Sequence, residues 1–321
     1  MSVAEITLEH LDPEAFIQDQ SRRIAEQVGA AKVVNALSGG VDSSVTTLLA
    51  HRALGDQLLT YFIDNGLMRQ GEPEAVTRAM RDLGVPVVRV DARSDFFGAL
   101  AGKADPEQKR QAITDTFYRT VFGRLVRESG ARYLLQGTIY TDVEETVAGI
   151  KRQHNILAQL GIDTQATYGY RVIEPLIQLR KAGVRAVGQA LGMPASMYNR
   201  PPFPGPALAA RVIGEVTAER VERVRRATAV VEAELAGVEA FQYLAILHED
   251  RVTGVRGGKR DYGFQVEIRC WDSQDAVTAG PTELPFDLLK KMARRITEEV
   301  PGVVSVTYNI TAKPPSTIEA V

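Results

Sequence analysis

The stretch "NALSGGVDSS", residues 35–44, ends one apolar run and directly precedes another that begins at Val45. Two glycines and three serines fill a core poorly. A glycine-rich turn before a helix, however, binds anions through backbone N–H groups and the positive end of the helix dipole. A carboxylate at Asp42 would repel a phosphate unless a cation such as Mg²⁺ bridges the two. The stretch therefore predicts a strand–turn–helix unit that binds phosphate together with a metal ion.

Two common phosphate-binding patterns are excluded at this turn. The residues Gly39 and Gly40 are not followed by the Lys-Ser/Thr pair of a Walker loop. They also do not form the Gly-x-Gly-x-x-Gly pattern of dinucleotide-binding proteins. The turn thus belongs to another class of nucleotide-binding loop.

Apolar runs on both sides of this turn predict the surrounding sheet. Short β-branched or apolar strands are predicted at 31–37, 57–64, 85–91 and 131–137. Helical periodicity falls between them, and also at 13–29 and 106–128. Alternating strands and helices are typical of right-handed crossovers. The predicted fold class is therefore α/β, with a doubly wound parallel sheet.

The regular alternation of predicted strands and helices ends at about residue 138. Residues 138–170 are polar and irregular, which is more typical of a functional lid loop than of filler. Four prolines within 201–206 form a stiff connector. We predict a first domain at 1–206, with the lid at about 138–170, and a smaller α+β domain at 207–321.

Composition narrows the class of protein. The chain has 321 residues and a net charge of −2, without the large basic excess that would suggest nonspecific nucleic-acid binding. The first residues lack the pattern of a signal peptide, and no apolar run reaches the ~20 residues of a membrane span. We expect a cytoplasmic enzyme that binds neither nucleic acid nor membrane. The single cysteine, Cys270, alternates with Val266 and Ile268 in a strand pattern, and we expect it to pack in a core.

The motif "SGGVDSS" resembles the pyrophosphate-binding loop of ATP pyrophosphatases, whose fold is called adenine nucleotide alpha hydrolase-like. Five further stretches resemble the synthetase half of the GMP synthase family. They are "YFIDNGLMR" (61–69), "DPEQKRQAI" (105–113), "QGTIYTDVEE" (136–145), "NRPPFPGPALAARVIGEV" (199–216) and "TYNITAKPPSTIE" (307–319).

This resemblance implies an ATP-dependent ligase that acts in two steps. The 2-oxo group of xanthosine monophosphate (XMP) is adenylated, and ammonia then displaces AMP to give GMP. Mg²⁺ is the implied cofactor. No glutaminase pattern is present, because Cys270 does not lie at a turn before a helix. Ammonia is therefore expected from a separate glutaminase subunit or from solution.

The resemblance also implies roles for individual residues of the ATP site. Asp42 is expected to bind the metal, and the backbone at Ile63 and Gly137 to contact adenosine. Asp142 and Glu145 match acidic positions at the base of the lid, while Lys151 and His154 match lid positions that act on the ATP phosphates. The pyrophosphate loop itself is Ser38, Gly39, Gly40, Asp42 and Ser43.

A second set of residues matches the acceptor site and the family's dimerisation domain. Arg93, Lys313, Ile318 and Glu319 are expected to bind the second nucleotide. Arg260 resembles an arginine that is offered across a homodimer to the acceptor site of the other chain.

The lid departs from the family pattern. Gln153 replaces a histidine, and Leu157 and Ala158 replace two glycines. Ala207 and Gly258 stand where glycine and aspartate are usual. These departures leave open a paralogue that adenylates another oxo-nucleotide or heterocycle for amination or thiolation, and a non-catalytic nucleotide-binding subunit.

Overall fold

The structure, a computed structural model, describes residues 3–147, 170–198, 203–274 and 277–320; the side chains of 145–147 fall outside this description. The chain divides into two compact units. The first comprises residues 1–64, 72–91 and 117–200, and the second comprises 65–71, 92–116 and 201–321. Because two earlier segments belong to the second unit, the linear boundary at 206/207 stays a prediction.

A five-stranded parallel sheet forms the centre of the first unit, with the strand order β3-β2-β1-β4-β5. The order reverses between β1 and β4, which confirms the predicted doubly wound fold. The strands are β1 (Val33–Ala36), β2 (Leu58–Asp64), β3 (Val87–Asp91), β4 (Tyr133–Leu135) and β5 (Arg171–Ile173).

Helices connect these strands, and local sequence sets where they begin and end. The first, α1 (Pro13–Val28), begins where the Asp12 carboxylate accepts N–H groups of Glu14 and Ala15, and ends at Gly29 with φ 56°. The others in chain order are α2 (Val41–Leu54), α3 (Glu72–Asp82), α4 (Arg93–Leu100), α5 (Pro106–Asp115), α6 (Gly123–Ser129), α7 (Tyr140–Val147), Lys181–Ala190 and Ala195–Tyr198.

The helical tract predicted at 106–128 is interrupted rather than continuous. A π-helical segment, Thr116–Phe122, separates α5 from α6. The first unit otherwise follows the expected layering: α1, α2 and the helix Lys181–Ala190 pack against one another, and α3 packs against β2 and β3.

The second unit contains a four-stranded sheet built on a long hairpin. The hairpin strands pair antiparallel, while β9 pairs with β7 in parallel. Its strands are β6 (Gln242–Arg256), β7 (Lys259–Asp272), β8 (Gly280–Pro281) and β9 (Val303–Tyr308), and its later helices are Ala218–Leu235 and Phe286–Glu299. This is the predicted small α+β domain, with a hairpin longer than the strands expected at 241–247 and 262–270.

Apolar packing in the second unit includes Cys270, which is buried and has a free thiol. The prediction that it packs in a core is confirmed.

No helix in the described ranges is long and apolar enough to cross a membrane. The cytoplasmic location stays a prediction.

Candidate active site

The turn between β1 and α2 is held in shape by its own hydroxyls. The Ser38 N–H donates to Ser43 Oγ at 3.2 Å, and the Ser43 hydroxyl donates to the Gly40 carbonyl at 3.1 Å. The Gly40 N–H donates to Ser38 Oγ at 3.3 Å, and the two serine oxygens lie 2.8 Å apart. This small ring fixes the backbone around the start of the helix.

Gly39 adopts a conformation that favours glycine. Its φ is 80°, and a Cβ atom there would lie 2.8 Å from Cγ2 of Val76. The glycine expected from the motif is therefore required both by the backbone and by the neighbouring side chain.

Two buried polar side chains form a hydrogen-bonded link to the first turn of α2. The Asn35 amide nitrogen donates to Thr47 Oγ1 at 2.6 Å, and Thr47 Oγ1 donates to the Ser43 carbonyl at 2.7 Å. Asn35 and Thr47 are both buried. The polar residues inside this strand and helix thus fix the position of the loop.

Gly137 brings the end of β4 against the loop. A Cβ atom at this position would lie 3.0 Å from the Asp42 carbonyl carbon and 3.1 Å from the Ser43 nitrogen. The β1 and β4 ends therefore meet where the strand order reverses, which is where open α/β sheets bind ligands.

Ile63 lies near the same end of the sheet. The paired register of β1 with β2 ends at Ala36 and Tyr61, while β2 continues beside β3 through Ile63. Because β1 ends and the chain turns into the loop, β2 extends past β1, and Ile63 lies two residues beyond Tyr61, the last β2 residue paired with β1. This is the position expected for a backbone that contacts a nucleotide base.

Asp42 is the most perturbed group of the loop. Burial raises the pKa of its carboxyl, and the charge of Asp142 adds to this, whereas Lys181 and Arg185 oppose it. Lys181 Nζ donates to Oδ2 at 2.6 Å. The other carboxylate oxygen, Oδ1, is buried and has no hydrogen-bond partner in the described part of the chain.

Lys181 was not identified by sequence reasoning. It is the first residue of a helix that follows β5, a strand of only three residues that the sequence did not predict. Once β5 is recognised, a lysine at the next helix start is expected at the same end of the sheet. The signal was therefore present in "RVIEPLIQLRKAG", residues 171–183.

The structure describes only some of the residues predicted for the lid. Asp142 lies in the first turn of α7, where its carboxylate accepts the Ile139 N–H at 2.9 Å, and its charge acts on Asp42. Glu145 lies in α7, but its side chain is not described. Lys151 and His154 lie outside the described residues, so their roles stay predictions.

The residues predicted to bind the acceptor all belong to the second unit. Arg93 is exposed at the start of α4, and Arg260 is exposed near the start of β7. Lys313 pairs its backbone with Ala279 and lines a cavity of about 660 Å³ together with Phe241, Asp272 and Ser273. Ile318 is buried in an apolar cluster, and Glu319 is partly exposed.

The described residues contain no group of three or more His, Cys, Asp or Glu that could hold a metal ion. A metal at this loop would therefore have few protein ligands. Mg²⁺ commonly binds through one or two carboxylates plus substrate phosphates and water, so this is compatible with Asp42 alone.

Two family patterns match successive parts of the chain. The family described as NAD synthase matches residues 14–206, and the GMP synthase C terminal domain matches residues 228–320. Among solved structures, an NH3-dependent NAD synthetase from Campylobacter jejuni is 15% identical and has a TM-score of 0.46. The match covers 59% of this chain and 77% of that one, and it is too weak to support an argument.

Curated relatives match nearly the whole chain. A protein of Archaeoglobus fulgidus, named as a subunit of glutamine-hydrolyzing GMP synthase, is 46% identical over 96% of this chain and 99% of its own length. The subunit of the same name from Methanoculleus marisnigri is 48% identical over 95% and 98%. The glutamine-hydrolyzing GMP synthase of Thermomicrobium roseum is 46% identical over 95% of this chain but only 60% of its own length.

The sheet, the loop and these matches define an ATP-dependent C–N ligase with a pyrophosphate loop. The chain belongs to the GMP synthase family, among relatives that are named as a separate subunit of that enzyme.

Replacing Gly137 by alanine tests the close approach of β4 to the loop. The added Cβ would displace the Asp42–Ser43 peptide, and we expect kcat/KM for ATP to fall about a hundredfold. The measurement is pyrophosphate release at varied ATP concentration. Gly237→Ala is the control, because nothing lies within 4 Å of its Cβ position; equal kinetics for the two variants would contradict the assignment.

Replacing Lys181 by methionine tests the pairing with Asp42. Removing the ammonium removes an interaction that lowers the Asp42 pKa, so that pKa rises further. We expect the charged carboxylate to be the active form, so the acid limb of the kcat/KM profile for ATP should move to higher pH. Lys290→Met is the matched control, since Lys290 pairs with exposed Asp287 at 2.6 Å. An acid limb that stays in place in Lys181→Met would refute the pairing as the cause.

Proposed function

We propose that this chain adenylates the 2-oxo group of XMP with ATP and aminates the product with ammonia, giving GMP, AMP and pyrophosphate. The main support is that a pyrophosphate-loop sheet and a GMP synthase C terminal domain occur in one chain. The relatives that match over nearly its full length are named as a subunit of GMP synthase.

The bonds made and broken in the two steps define the catalytic role of the protein. In the first step the 2-oxo oxygen bonds to the α phosphorus of ATP, and the α–β bridging bond breaks to release pyrophosphate. In the second step ammonia bonds to carbon 2, the C–O bond to AMP breaks, and a proton is lost. A carbonyl-derived oxygen is a poor leaving group and AMP is a good one, so the protein mainly orients reactants and neutralises charge.

The loop is suited to hold the leaving pyrophosphate. Its backbone precedes the N-terminus of a 14-residue helix, and Lys181 adds a cation beside Asp42. The helix dipole contributes about 1 kcal/mol, so lysine and metal must supply most of the charge stabilisation. Ser38, Gly39, Gly40 and Ser43 form this loop, with Ile63 and Gly137 as the adenosine contacts.

Mg²⁺ fits the loop through Asp42. A buried carboxylate oxygen without a hydrogen-bond donor is costly, and a divalent cation that also binds phosphate would satisfy it. When bound, the ion would supply positive charge to the phosphates of ATP. Asp42 is the residue we propose to hold it, with Asp142 as a second negative charge nearby.

The acceptor nucleotide is proposed to bind the second unit. The Lys313 ammonium provides a cation for the phosphate at the wall of the 660 Å³ cavity. Glu319 and Ile318 follow on the same tail, and Arg93 is proposed as a further contact.

The ammonia source is proposed to be a separate glutaminase subunit. The relatives' names specify one subunit of a glutamine-hydrolyzing enzyme, and this chain covers only 60% of the Thermomicrobium roseum protein. Free ammonia would serve the isolated chain.

We further propose a homodimer in which Arg260 of one chain reaches the acceptor site of the other. The hairpin that includes Arg260 has exposed apolar side chains, with Val255 77% and Tyr262 64% exposed. Large apolar groups on one exposed hairpin favour a protein contact there.

The proposed reaction is tested by pyrophosphate release from ATP with Mg²⁺, XMP and ammonia. Release should require XMP, and GMP and AMP should form in equal amounts. Asp42→Asn should lower the rate about a hundredfold or more, because it removes the charge that holds the cation. Release with another oxo-nucleotide but not with XMP would favour the paralogue instead, and no release with any acceptor would favour a non-catalytic subunit.

The crossing of Arg260 is tested by mixing two inactive variants. Arg260→Ala and Lys313→Ala should each impair the acceptor site of every homodimer. After subunit exchange each heterodimer regains one intact site, so about a quarter of wild-type activity should return. Activity that stays at the level of the separate variants would place Arg260 and Lys313 in the same site of one chain.

A further inference from the structure

Arg211 is a buried cation that sequence reasoning assigned no role. It ends the short 3₁₀ helix Ala207–Arg211, which follows the proline-rich connector, and its side chain is 1% exposed. An arginine guanidinium stays protonated in proteins, so its burial requires a compensating anion.

Glu319 supplies that anion. Arg211 Nε donates to Oε2 at 3.2 Å and Nη2 donates to Oε1 at 3.1 Å, which is a two-point contact. Gln242 Nε2 donates to Oε1 at 2.8 Å. The Glu319 side chain is nevertheless 21% exposed. The Glu319 carboxylate is therefore hydrogen-bonded on its protein-facing side by Arg211 and Gln242, and its other side is open to solvent.

Within the described part of the chain, the remaining surroundings of the Arg211 guanidinium include an unpaired nitrogen and an aromatic ring. Nη1 is buried and has no hydrogen-bond partner among the described residues. The guanidinium carbon lies 5.0 Å from the centre of the Phe203 ring. The Glu319 carboxylate neutralises the positive charge of the guanidinium. Loss of this contact would leave a buried charge unpaired, so the pair is expected to persist when ligand is absent.

The backbone beside Glu319 is fixed independently. Arg269 Nη1 donates to the Thr317 carbonyl at 2.6 Å and to the Ile318 carbonyl at 3.2 Å. Ile318 packs in a cluster with Leu244 and Trp271. With the backbone anchored in this way, the direction of the Glu319 side chain depends on Arg211 and Gln242.

We infer that Arg211 is a positioning residue for the acceptor site, which orients the Glu319 carboxylate to accept hydroxyl groups of the acceptor's ribose. A carboxylate has about four lone-pair sites, and three inward N–H contacts leave its open side for a sugar hydroxyl. This inference rests on the proposed function, because it takes the tail as the acceptor site.

The test compares Arg211→Met and Arg211→Lys with wild type in the pyrophosphate-release assay. With saturating ATP, we expect the KM for XMP to rise about tenfold in Arg211→Met, the effect of losing one charge-assisted hydrogen bond. The KM for ATP and kcat should stay within about twofold of wild type. Arg211→Lys keeps the charge but not the two-point geometry, and should restore part of the affinity for XMP.

Arg220→Met is the matched control. Arg220 is also a largely buried arginine of the same unit, but it donates to the carbonyls of Ile213, Glu215 and His248 rather than to the tail. An equal rise in the KM for XMP in this variant would show a general structural effect and overturn the inference. An unchanged KM for XMP in folded Arg211→Met would overturn it as well.

A second measurement addresses ribose recognition directly and does not require the methionine variant to fold. Wild type should prefer XMP over its 2′,3′-dideoxy analogue, and Arg211→Lys should lose most of that preference. Full discrimination by Arg211→Lys would overturn the inference. If wild type releases no pyrophosphate with XMP, the proposed function fails first, and the inference fails with it.

Discussion

The contact on which the proposed ATP site depends is the ion pair between Asp42 and Lys181, at the N-terminus of α2. Burial raises the pKa of this carboxyl and the lysine opposes that rise, next to a helix end that attracts anions. Oδ1 has no hydrogen-bond partner among the described residues, and we propose that it coordinates a cation that also binds phosphate.

The geometry of the sheet makes this contact possible. Because the strand order reverses between β1 and β4, the loop after one strand and Gly137 after the other approach within van der Waals distance. Lys181 follows β5, the next strand across. A similar ion pair occurs at the C-terminal tail of the second unit, where buried Arg211 holds the partly exposed carboxylate of Glu319. In both places an ion pair holds a carboxylate at a position where we propose that a ligand binds.

Much of this could be predicted from the sequence. The order of strands and helices, the loop at 38–43 and the burial of Cys270 follow from periodicity and glycine placement. Lys181 was missed because β5 has only three residues, too few for a periodic pattern, and directly follows the segment interpreted as a lid. Arg211 was missed because "ALAARVIGEV" reads as an apolar segment with one surface arginine; only tertiary contacts show that the arginine points inward.

The most direct measurement of the central claim follows one oxygen atom. XMP labelled with ¹⁸O at the 2-oxo position is converted with ATP and ammonia, and the products are separated by mass. If the acceptor oxygen bonds to the α phosphorus and pyrophosphate leaves, the label appears in the phosphate of AMP. Label in pyrophosphate, or retained in the purine product, would contradict the account.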